Sequence, residues 1–382
     1  MKTLHETVED LVAAGTVPGA VALVARRDDV TVGVAGVRTL GGEPMTRDSL
    51  FRIASITKPI VAAATMALVD RGRFALDDPV ARWLPELADP VVLRRLDGPV
   101  DDVVAAARPI TVHHLLTFQG GHGFPTDFSA PVVARLAEDL GQGPPQPQAV
   151  VPPDEWMARL ARIPLLHQPG EGWTYNTGAD ILGVLLARAE VTTLADVLAD
   201  TILGPLGMTD TGFHIPDGGL DRMTGYCRSE DDTGGLEEVD PPDGQWATDP
   251  AFPSGAGGLV STADDWLAFG RMLLADGEHD RGRVLSAEAV RLMMTSHVEA
   301  EPDHLFLQGH GWGFGGSVDL AVLEPWNVPG RYGWVGSTGT AAHVIPSRDT
   351  VVIWMSQVEL AGPDDSQAMA AVLTWAAEHT AV

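Results

Sequence analysis

Residues 51–61 read FRIASITKPIV, and the chain continues to Asp70 as AAATMALVD. The run of Ala, Val and other apolar residues predicts a buried helix from Ser55 to about Asp70, with Pro59 in the first turn, where proline is tolerated. Ser55 and Lys58 are three residues apart, nearly one helical turn, so their side chains project from the same face. The segment therefore predicts a serine and a lysine side by side at the start of a buried helix.

The use of lysine in this chain supports a chemical role for Lys58. The sequence has 23 arginines but only two lysines, Lys2 and Lys58. A buried amine can lose its proton near neutral pH, whereas a guanidinium cannot. Serine needs a nearby base to become a good nucleophile, so Ser55 is predicted as the nucleophile and Lys58 as its proton acceptor. The alternative is that Ser55 only caps the helix and Lys58 is a solvated side chain.

A second motif is PGEGWTYNTGADILG, residues 169–183. Tyr175 lies just before a segment with helical periodicity, where its hydroxyl could meet Ser55 and relay a proton to a leaving group. The alternative is that Tyr175 and Trp173 form an aromatic pair packed on the core.

A third motif is GWVGSTGT, residues 333–340. Its small residues would let an edge strand approach a substrate closely. The backbone N–H of Ser337 could then join that of Ser55 in an oxyanion hole. The alternative is a glycine-rich edge of a hairpin.

The order of predicted elements indicates an α/β (α+β) fold. Strands are predicted near both ends of the chain and helices in the middle, with a Gly/Pro-rich loop over 119–153 and a last helix over about 364–379. An antiparallel sheet built from both ends, flanked by the terminal helices, would carry an inserted, mainly helical region. The predicted strands are 19–26, 30–37, 312–318, 331–336, 340–346 and 350–357, and the predicted central helices are 154–163, 178–190, 193–203, 263–276 and 286–295.

This arrangement predicts two structural units. The first combines residues 1–58 with 300–382 as a discontinuous sheet unit, and the second is the mainly helical region 59–299. We expect the active site in the cleft between them.

Composition excludes several classes of partner. The formal net charge of −27 makes nucleic acid and anionic membrane surfaces poor partners. No window reaches about 18 uninterrupted apolar residues, and the amphipathic N-terminus lacks the features of a secretory signal, so a cytoplasmic location is expected. The single cysteine, Cys227, excludes an intramolecular disulfide and a cysteine-based zinc site. No motif for a metal ion or cofactor is present, and the oligomeric state stays open.

The three motifs, in this order, resemble the serine β-lactamase superfamily, and in particular class C β-lactamases and the esterases of that penicillin-binding-protein fold. The resemblance covers nearly the whole chain and implies an acyl-enzyme formed on Ser55, with proton transfers shared by Lys58 and Tyr175. Which of these two is the general base stays open. The matching segments are VPGAVALVAR, DSLFRIASITKPIVAAATMALVDRG, ITVHHLLT, PGEGWTYNTGADILG, PLGMTDTGF and SGAGGLVSTADDWLAFGRML.

Two departures from the family pattern bear on the substrate. Thr177 occupies the usual asparagine position of the Y-x-N motif, so the amide is shifted to Asn176 or lost. Trp334 replaces the Lys or His of the third motif, Trp334-Val335-Gly336, and cannot bind a substrate carboxylate as a cation would. Both departures favour apolar esters or amides over penicillins. Candidate substrate-binding residues are Trp334, Gly336, Thr177, Asn176, His122 and Trp173, and an apolar acyl pocket is predicted from Trp173, Trp312, Trp334 and Phe124.

The sequence thus predicts a serine hydrolase, a carboxylesterase acting on small-molecule apolar esters or amides. One alternative is an acyltransferase that passes the acyl group to an amine or alcohol in a biosynthetic pathway. Another is residual β-lactamase or D-Ala-D-Ala peptidase activity, or a penicillin-binding sensor that acylates slowly and stays acylated.

Overall fold

A computed structural model describes residues 2–230, 235–299, 304–362 and 367–380. Its α-helices are α1 Leu4–Ala13, α2 Lys58–Asp70, α3 Val112–Leu116, α4 Pro131–Leu140, α5 Pro153–Leu160, α6 Thr177–Glu190, α7 Leu194–Leu198, α8 Gly204–Leu206, α9 Ala263–Leu274, α10 Ala287–Met293 and α11 Gln367–His379. Its strands are β1 Gly19–Arg26, β2 Asp29–Gly36, β3 Phe51–Arg52, β4 Val91–Leu93, β5 Val103–Ala105, β6 Tyr226–Ser229, β7 Leu236–Asp240, β8 Val260–Ser261, β9 Glu278–His279, β10 Gly282–Arg283, β11 Val298–Glu299, β12 Gly311–Trp312, β13 Ser317–Val318, β14 Tyr332–Gly336, β15 Thr340–Ile345 and β16 Thr350–Ser356.

The main sheet has eight antiparallel strands in the order β11-β12-β13-β14-β15-β16-β1-β2. It joins the two ends of the chain, because β1 pairs with β16 so that Leu23 lies opposite Ile353. Both strands are central and covered on both faces, which explains why they are continuously apolar rather than alternating. The predicted fold class, an antiparallel sheet from both chain ends flanked by terminal helices, is confirmed.

The two faces of the sheet bury different cores. On β1, Val21 and Leu23 face a large core shared with α2, α6 and α9, whereas Ala22 and Val24 face a smaller core with α1 and α11. This is the two-residue alternation expected of a strand. The terminal helices therefore cover the outer face, and the central part of the chain packs on the inner face, which carries Trp334.

Three local predictions were wrong. Residues 119–153 are not all loop, because Pro131–Leu140 forms the amphipathic helix α4, which starts at a proline and ends at Gly141 with a positive φ. The predicted strand 312–318 is instead two short strands, β12 and β13, paired antiparallel. The helix expected to start at Ser55 starts at Lys58, after a 3-10 turn over Ala54–Thr57.

The division of the chain into two units at residues 58 and 300 stays a prediction. The sheet already begins at Val298, just before the predicted boundary at residue 300. The large core runs without a break from the inner face of the sheet into the helices. Within the described ranges, no helix is both long and apolar enough to cross a bilayer.

Candidate active site

Ser55 and Lys58 lie where the 3-10 turn passes into α2. Both are buried, with 8% and 1% of their surface exposed. The Nζ atom of Lys58 is 2.8 Å from the Oγ atom of Ser55. Ala54, directly before Ser55, has a φ of 40°, a conformation that non-glycine residues adopt at a cost and that is common at functional sites. The turn thus holds the Ser55 hydroxyl against the lysine amine.

Tyr175, which lies just before α6, contacts Ser55. Its hydroxyl donates a hydrogen bond of 2.9 Å to Ser55 Oγ. The next residue, Asn176, has φ 81° and ψ −66°, and the Thr177 N–H donates to the Tyr175 carbonyl at 3.2 Å. This is a strained γ-turn that ends the loop and starts α6 immediately after the tyrosine. Asn tolerates positive φ better than most residues, which fits its place at this turn.

Trp334 on β14 contacts the same tyrosine from the sheet side. Its Nε1–H donates to the Tyr175 hydroxyl oxygen at 2.7 Å. Burial raises the pKa of Tyr175 to about 12, against the opposing effect of its bonds to Ser55 and Trp334. Tyr175 is therefore protonated at neutral pH and can donate a proton. The ring of Phe306 stacks on Tyr175 with centroids 4.6 Å apart.

The segment that follows β14 is hydrogen-bonded to the residues just before the 3-10 turn Ala54–Thr57, which carries Ser55 and is called the nucleophile turn below. Thr338 Oγ1 donates to the Arg52 carbonyl at 2.5 Å, and Thr340 Oγ1 donates to the Ile53 carbonyl at 3.0 Å. A Cβ added to Gly336 would lie 2.5 Å from the Ile53 carbonyl oxygen, so only glycine permits this close approach. Ser337, next in the chain, lines the cavities around Ser55.

Lys58 is linked to the buried carboxylate of Asp180 through the backbone of Ala256. Its Nζ donates to the Ala256 carbonyl at 2.6 Å, and the Ala256 N–H donates to Asp180 Oδ1 at 3.0 Å. Asp180 also accepts hydrogen bonds from Ser254 and Gln142. Burial lowers the pKa of Lys58 to about 7, although the Asp180 charge acts in the opposite direction. Burial raises the pKa of Asp180, and its three donors and Lys58 oppose that rise.

Two cavities meet at Ser55. A cavity of about 360 Å³ is lined mainly by apolar residues, including Phe124, Phe306 and Trp334. A smaller one of about 80 Å³ extends past Asp180 and Ala256. Among the described residues that line them, the charged ones are acidic: Asp180 in the small cavity and Glu359 in the large one. Glu359 is paired with Arg228 at 2.9 Å.

The structure separates the predicted substrate-binding residues into two groups. Trp334 and Asn176 line the large cavity, and Asn176 lines the small one as well. Thr177 is fully buried, and its hydroxyl donates to Gln142 Oε1 at 2.6 Å. The amide at the site is therefore shifted by one residue to Asn176, and Thr177 orients a second amide, that of Gln142.

His122, Trp173 and Gly336, which were predicted to bind substrate, are not among the residues that line these two cavities. His122 is buried, and its Nε2 lies 3.0 Å from the Ile163 carbonyl, so its ring is used in packing the loop. Trp173 lies behind Tyr175 with ring centroids 6.0 Å apart, and Gly336 serves the strand contact. In the predicted acyl pocket, Phe124 and Trp334 line the large cavity, while Trp312 is fully buried beside Trp173.

Four residues at the site were missed by sequence reasoning. Asp180 carried a signal, since it is the one charged residue between Tyr175 and Arg188 and stands in an apolar helix. Gln142 and Phe306 lie in loops with no distinguishing pattern. Ala256 acts through its carbonyl oxygen, which its side chain does not reveal.

Fold and site together define a protein of the serine β-lactamase and penicillin-binding-protein class. The sequence matches the Beta-lactamase family over residues 4–374. The chain therefore belongs to the Beta-lactamase family.

The chain is similar to several individual relatives over much of its length. Protein Rv1367c of Mycobacterium tuberculosis is 41% identical over 367 residues, which are 92% of this chain and 88% of the relative. Esterase EstB of Burkholderia gladioli is 36% identical over 270 residues, 65% of this chain and 64% of EstB. The solved structure of EstCE1, described as a hydrolase with promiscuous acyltransferase activity, has the same fold, with a TM-score of 0.78 at 23% identity over 97% of this chain and 96% of EstCE1. Family and esterase relatives together support an enzyme of the serine-hydrolase type.

Proposed function

We propose that this protein is a carboxylesterase that forms an acyl-enzyme on Ser55, with Lys58 as general base and Tyr175 as proton donor to the leaving group. The observation that carries the proposal is the continuous hydrogen-bonded chain from Trp334 through Tyr175 and Ser55 to Lys58.

The lowered pKa of Lys58 and the raised pKa of Tyr175 support Lys58 as the base. With a pKa of about 7, the amine is substantially neutral at neutral pH, so its lone pair can accept the Ser55 hydrogen while an N–H is donated to Ala256. The Tyr175 hydroxyl donates to the serine oxygen, and Trp334 in turn donates to the Tyr175 oxygen. A tyrosine with a pKa of about 12 is a poor base at pH 7 but keeps a proton to donate.

The proposed reaction has two halves. Ser55 Oγ attacks the ester carbonyl carbon as its proton passes to Lys58, and the N–H groups of Ser55 and Ser337 stabilise the oxyanion. The bond to the alcohol oxygen then breaks as Tyr175 gives that oxygen a proton and regains one from Lys58. Water then attacks the acyl carbon as one of its protons passes to Lys58. The bond from the acyl carbon to Ser55 Oγ breaks as Oγ takes that proton back, and the acid is released.

The proposed substrate is a neutral ester. The described charged residues lining the two cavities are acidic, and Trp334 stands where a cation would bind a carboxylate. Desolvating a substrate carboxylate beside these groups would be unfavourable. We therefore propose weak or absent β-lactam hydrolysis.

The test is acyl-enzyme trapping with p-nitrophenyl acetate. The protein is quenched during turnover, and intact mass spectrometry with peptide mapping should find one acetyl group on Ser55. Ser55→Ala should lose both the adduct and turnover, whereas Ser347→Ala, in an exposed 3-10 turn, should keep both. Full activity in Ser55→Ala would falsify the proposal.

Acyl transfer is the second candidate, because the large cavity beside Tyr175 can hold an alcohol as an acceptor as well as a leaving group. Product analysis with a competing alcohol separates the two functions. Predominant ester product at alcohol concentrations far below that of water would identify a transferase.

A further inference from the structure

The two cavities at Ser55 are chemically unequal. Tyr175 and Trp334 line the 360 Å³ cavity, whereas Asp180 and Ala256 line the 80 Å³ cavity. Ser55 lines both. A substrate carbonyl at Ser55 therefore has one substituent directed into each cavity.

The position of the proton donor assigns these substituents. The alcohol oxygen must lie within hydrogen-bond reach of the Tyr175 hydroxyl to receive its proton, and this hydroxyl belongs to the large cavity. From this we infer that the large cavity binds the alcohol part and the small cavity binds the acyl part. The substrates are thus esters of short acids with bulky apolar alcohols. This inference rests on the proposed function.

The volume of the small cavity limits the acyl chain. A cavity of about 150 Å³ is known to hold benzene, and the small cavity has about half that volume. This leaves room for acetyl to about butanoyl groups. Three large side chains that are at most 3% exposed form part of its wall: Trp156, Trp246 and Phe252.

These three wall residues are held in position by hydrogen bonds and ring packing. Trp156 Nε1 donates to the Leu140 carbonyl at 3.2 Å, and Trp246 Nε1 donates to the Gly258 carbonyl at 3.0 Å. Phe252 packs on Trp156 with ring centroids 4.9 Å apart. Two hydrogen-bonded indoles and a packed phenyl ring are poorly able to move aside for a longer chain.

The large cavity has the opposite character. Phe124, Phe128, Phe306 and Leu360 give it an apolar wall, and Phe128 is 47% exposed at its rim. Its volume is more than twice that of the benzene cavity, sufficient for a multi-ring or long alkyl alcohol. Apolar contact area there contributes binding energy without demanding a particular hydrogen-bonding pattern.

Phe252 is the wall whose removal tests the assignment. It lines the small cavity and also a separate cavity of about 920 Å³ outside it, formed by the end of α6 and residues 249–253. Truncating Phe252 would join the small cavity to this outer cavity, and a long acyl chain could then extend into the outer cavity.

The first experiment uses the wild-type protein and two ester series. p-Nitrophenyl esters from acetate to decanoate vary only the acyl chain, and acetates of methanol, benzyl alcohol and naphthylmethanol vary only the alcohol. We expect kcat/KM to fall about tenfold or more beyond butanoate, since a single methylene that does not fit costs this much. Across the acetates, kcat/KM should rise with alcohol size. Undiminished turnover of decanoate, or a preference for the methyl ester, would overturn the assignment.

The second experiment changes the longest acyl chain that the small cavity accepts. Phe252→Ala should raise the octanoate-to-acetate ratio of kcat/KM about tenfold or more, with little change in preference among the acetates. The milder Phe252→Leu should shift the ratio in the same direction and serves if the alanine variant does not fold. Phe128→Ala, at the other cavity, should change preference among alcohols and leave the acyl ratio unchanged. The reverse pattern would contradict the inference.

Acyl-enzyme trapping separates this inference from the proposed function. If Ser55 is acylated but the two profiles are reversed, the hydrolase assignment stands and the cavity assignment fails. If no ester acylates Ser55, the proposed function fails, and the cavity assignment fails with it.

Discussion

Lys58 is the residue on which the proposed chemistry depends. It is 1% exposed, it lies 2.8 Å from the Ser55 hydroxyl, and burial lowers its pKa to about 7. An arginine here would stay charged at any accessible pH. The chain has only two lysines, Lys2 and Lys58, and the proposed function requires Lys58 to lose its proton. Asp180 limits how far the pKa falls, because its charge stabilises the ammonium form.

The pH dependence of turnover follows from this environment. Since the neutral amine is the base, kcat/KM for p-nitrophenyl acetate should rise with pH through about 7. Asp180→Asn removes the charge that favours the ammonium, so the pKa of Lys58 should fall and the rising limb should move to lower pH. Asp154→Asn, whose side chain is 91% exposed, is the matched control and should leave the limb in place.

A purely structural Asp180 would give a different result. In that case the Asp180→Asn variant would have a lower kcat/KM at every pH, and the pH at which kcat/KM rises would not change. A limb displaced to higher pH would contradict the electrostatic role directly.

At the scale of elements, the site depends on contact between strand β14 and the nucleophile turn. Thr338 and Thr340 donate hydrogen bonds to the backbone of residues 52 and 53, and Gly336 allows the two backbones to approach. We propose that this contact sets the separation of the Ser55 and Ser337 N–H groups, the proposed donors to the oxyanion. A glycine that does not itself line a cavity thus belongs to the geometry of the site.

Gly336→Ala should reduce kcat about a hundredfold, comparable to the loss of one oxyanion donor. The added methyl would lie 2.2 Å from Thr340 Oγ1 and 2.5 Å from the Ile53 carbonyl, so the strand must shift away from Ser55. Gly212→Ala is the control, because its nearest neighbour would be at 3.4 Å, an ordinary contact. Steady-state kinetics with p-nitrophenyl acetate measures both, and equal kcat for the two variants would refute the strand-contact argument.

At the scale of the molecule, the site is assembled from segments far apart in sequence. Trp334 on β14 and Ser337 just after it come from the C-terminal part of the chain, whereas Tyr175, Gln142 and Asp180 come from the central region. We propose that residues 1–58 with 300–382, and 59–299, are two units with the active site in the cleft between them. The burial of an amine at this junction has a cost in stability that the function requires.

That cost makes stability depend on pH. The pKa of Lys58 is about 7 in the folded protein and about 10.4 when unfolded. Between these values the unfolded chain binds the proton and the folded one does not, so the free energy of unfolding should rise with pH, by up to about 1.4 kcal/mol per pH unit. Below pH 7 the full penalty remains. Lys58→Met should remove this contribution and be the more stable protein at pH 6.

Urea unfolding followed by tryptophan fluorescence from pH 6 to 10 measures the effect as the difference between wild type and Lys58→Met. Lys2→Met replaces the only other lysine, which is exposed, and its curve should run parallel to that of the wild type. Parallel curves for Lys58→Met as well would mean that Lys58 does not titrate with a lowered pKa.

The sequence by itself determined the fold class, the sheet built from both chain ends and the residues Ser55, Lys58 and Tyr175 as a candidate set. The first two follow from the order of elements predicted by local periodicity. The candidate set follows from the spacing of a serine and a lysine within one helical turn and from the resemblance of several short motifs to a known family. Only the tertiary structure decided the 3-10 turn at Ser55, the Trp334 to Tyr175 hydrogen bond, the Ala256 and Asp180 support of Lys58 and the unequal cavities. Each of these depends on contacts between residues up to 287 positions apart. The geometry of these contacts is set by packing of the shared core and by backbone carbonyls that carry no side-chain signal. His122 shows the same limit, since a histidine in a Gly-rich loop gives no indication of whether its ring faces the cavity or, as here, a buried carbonyl.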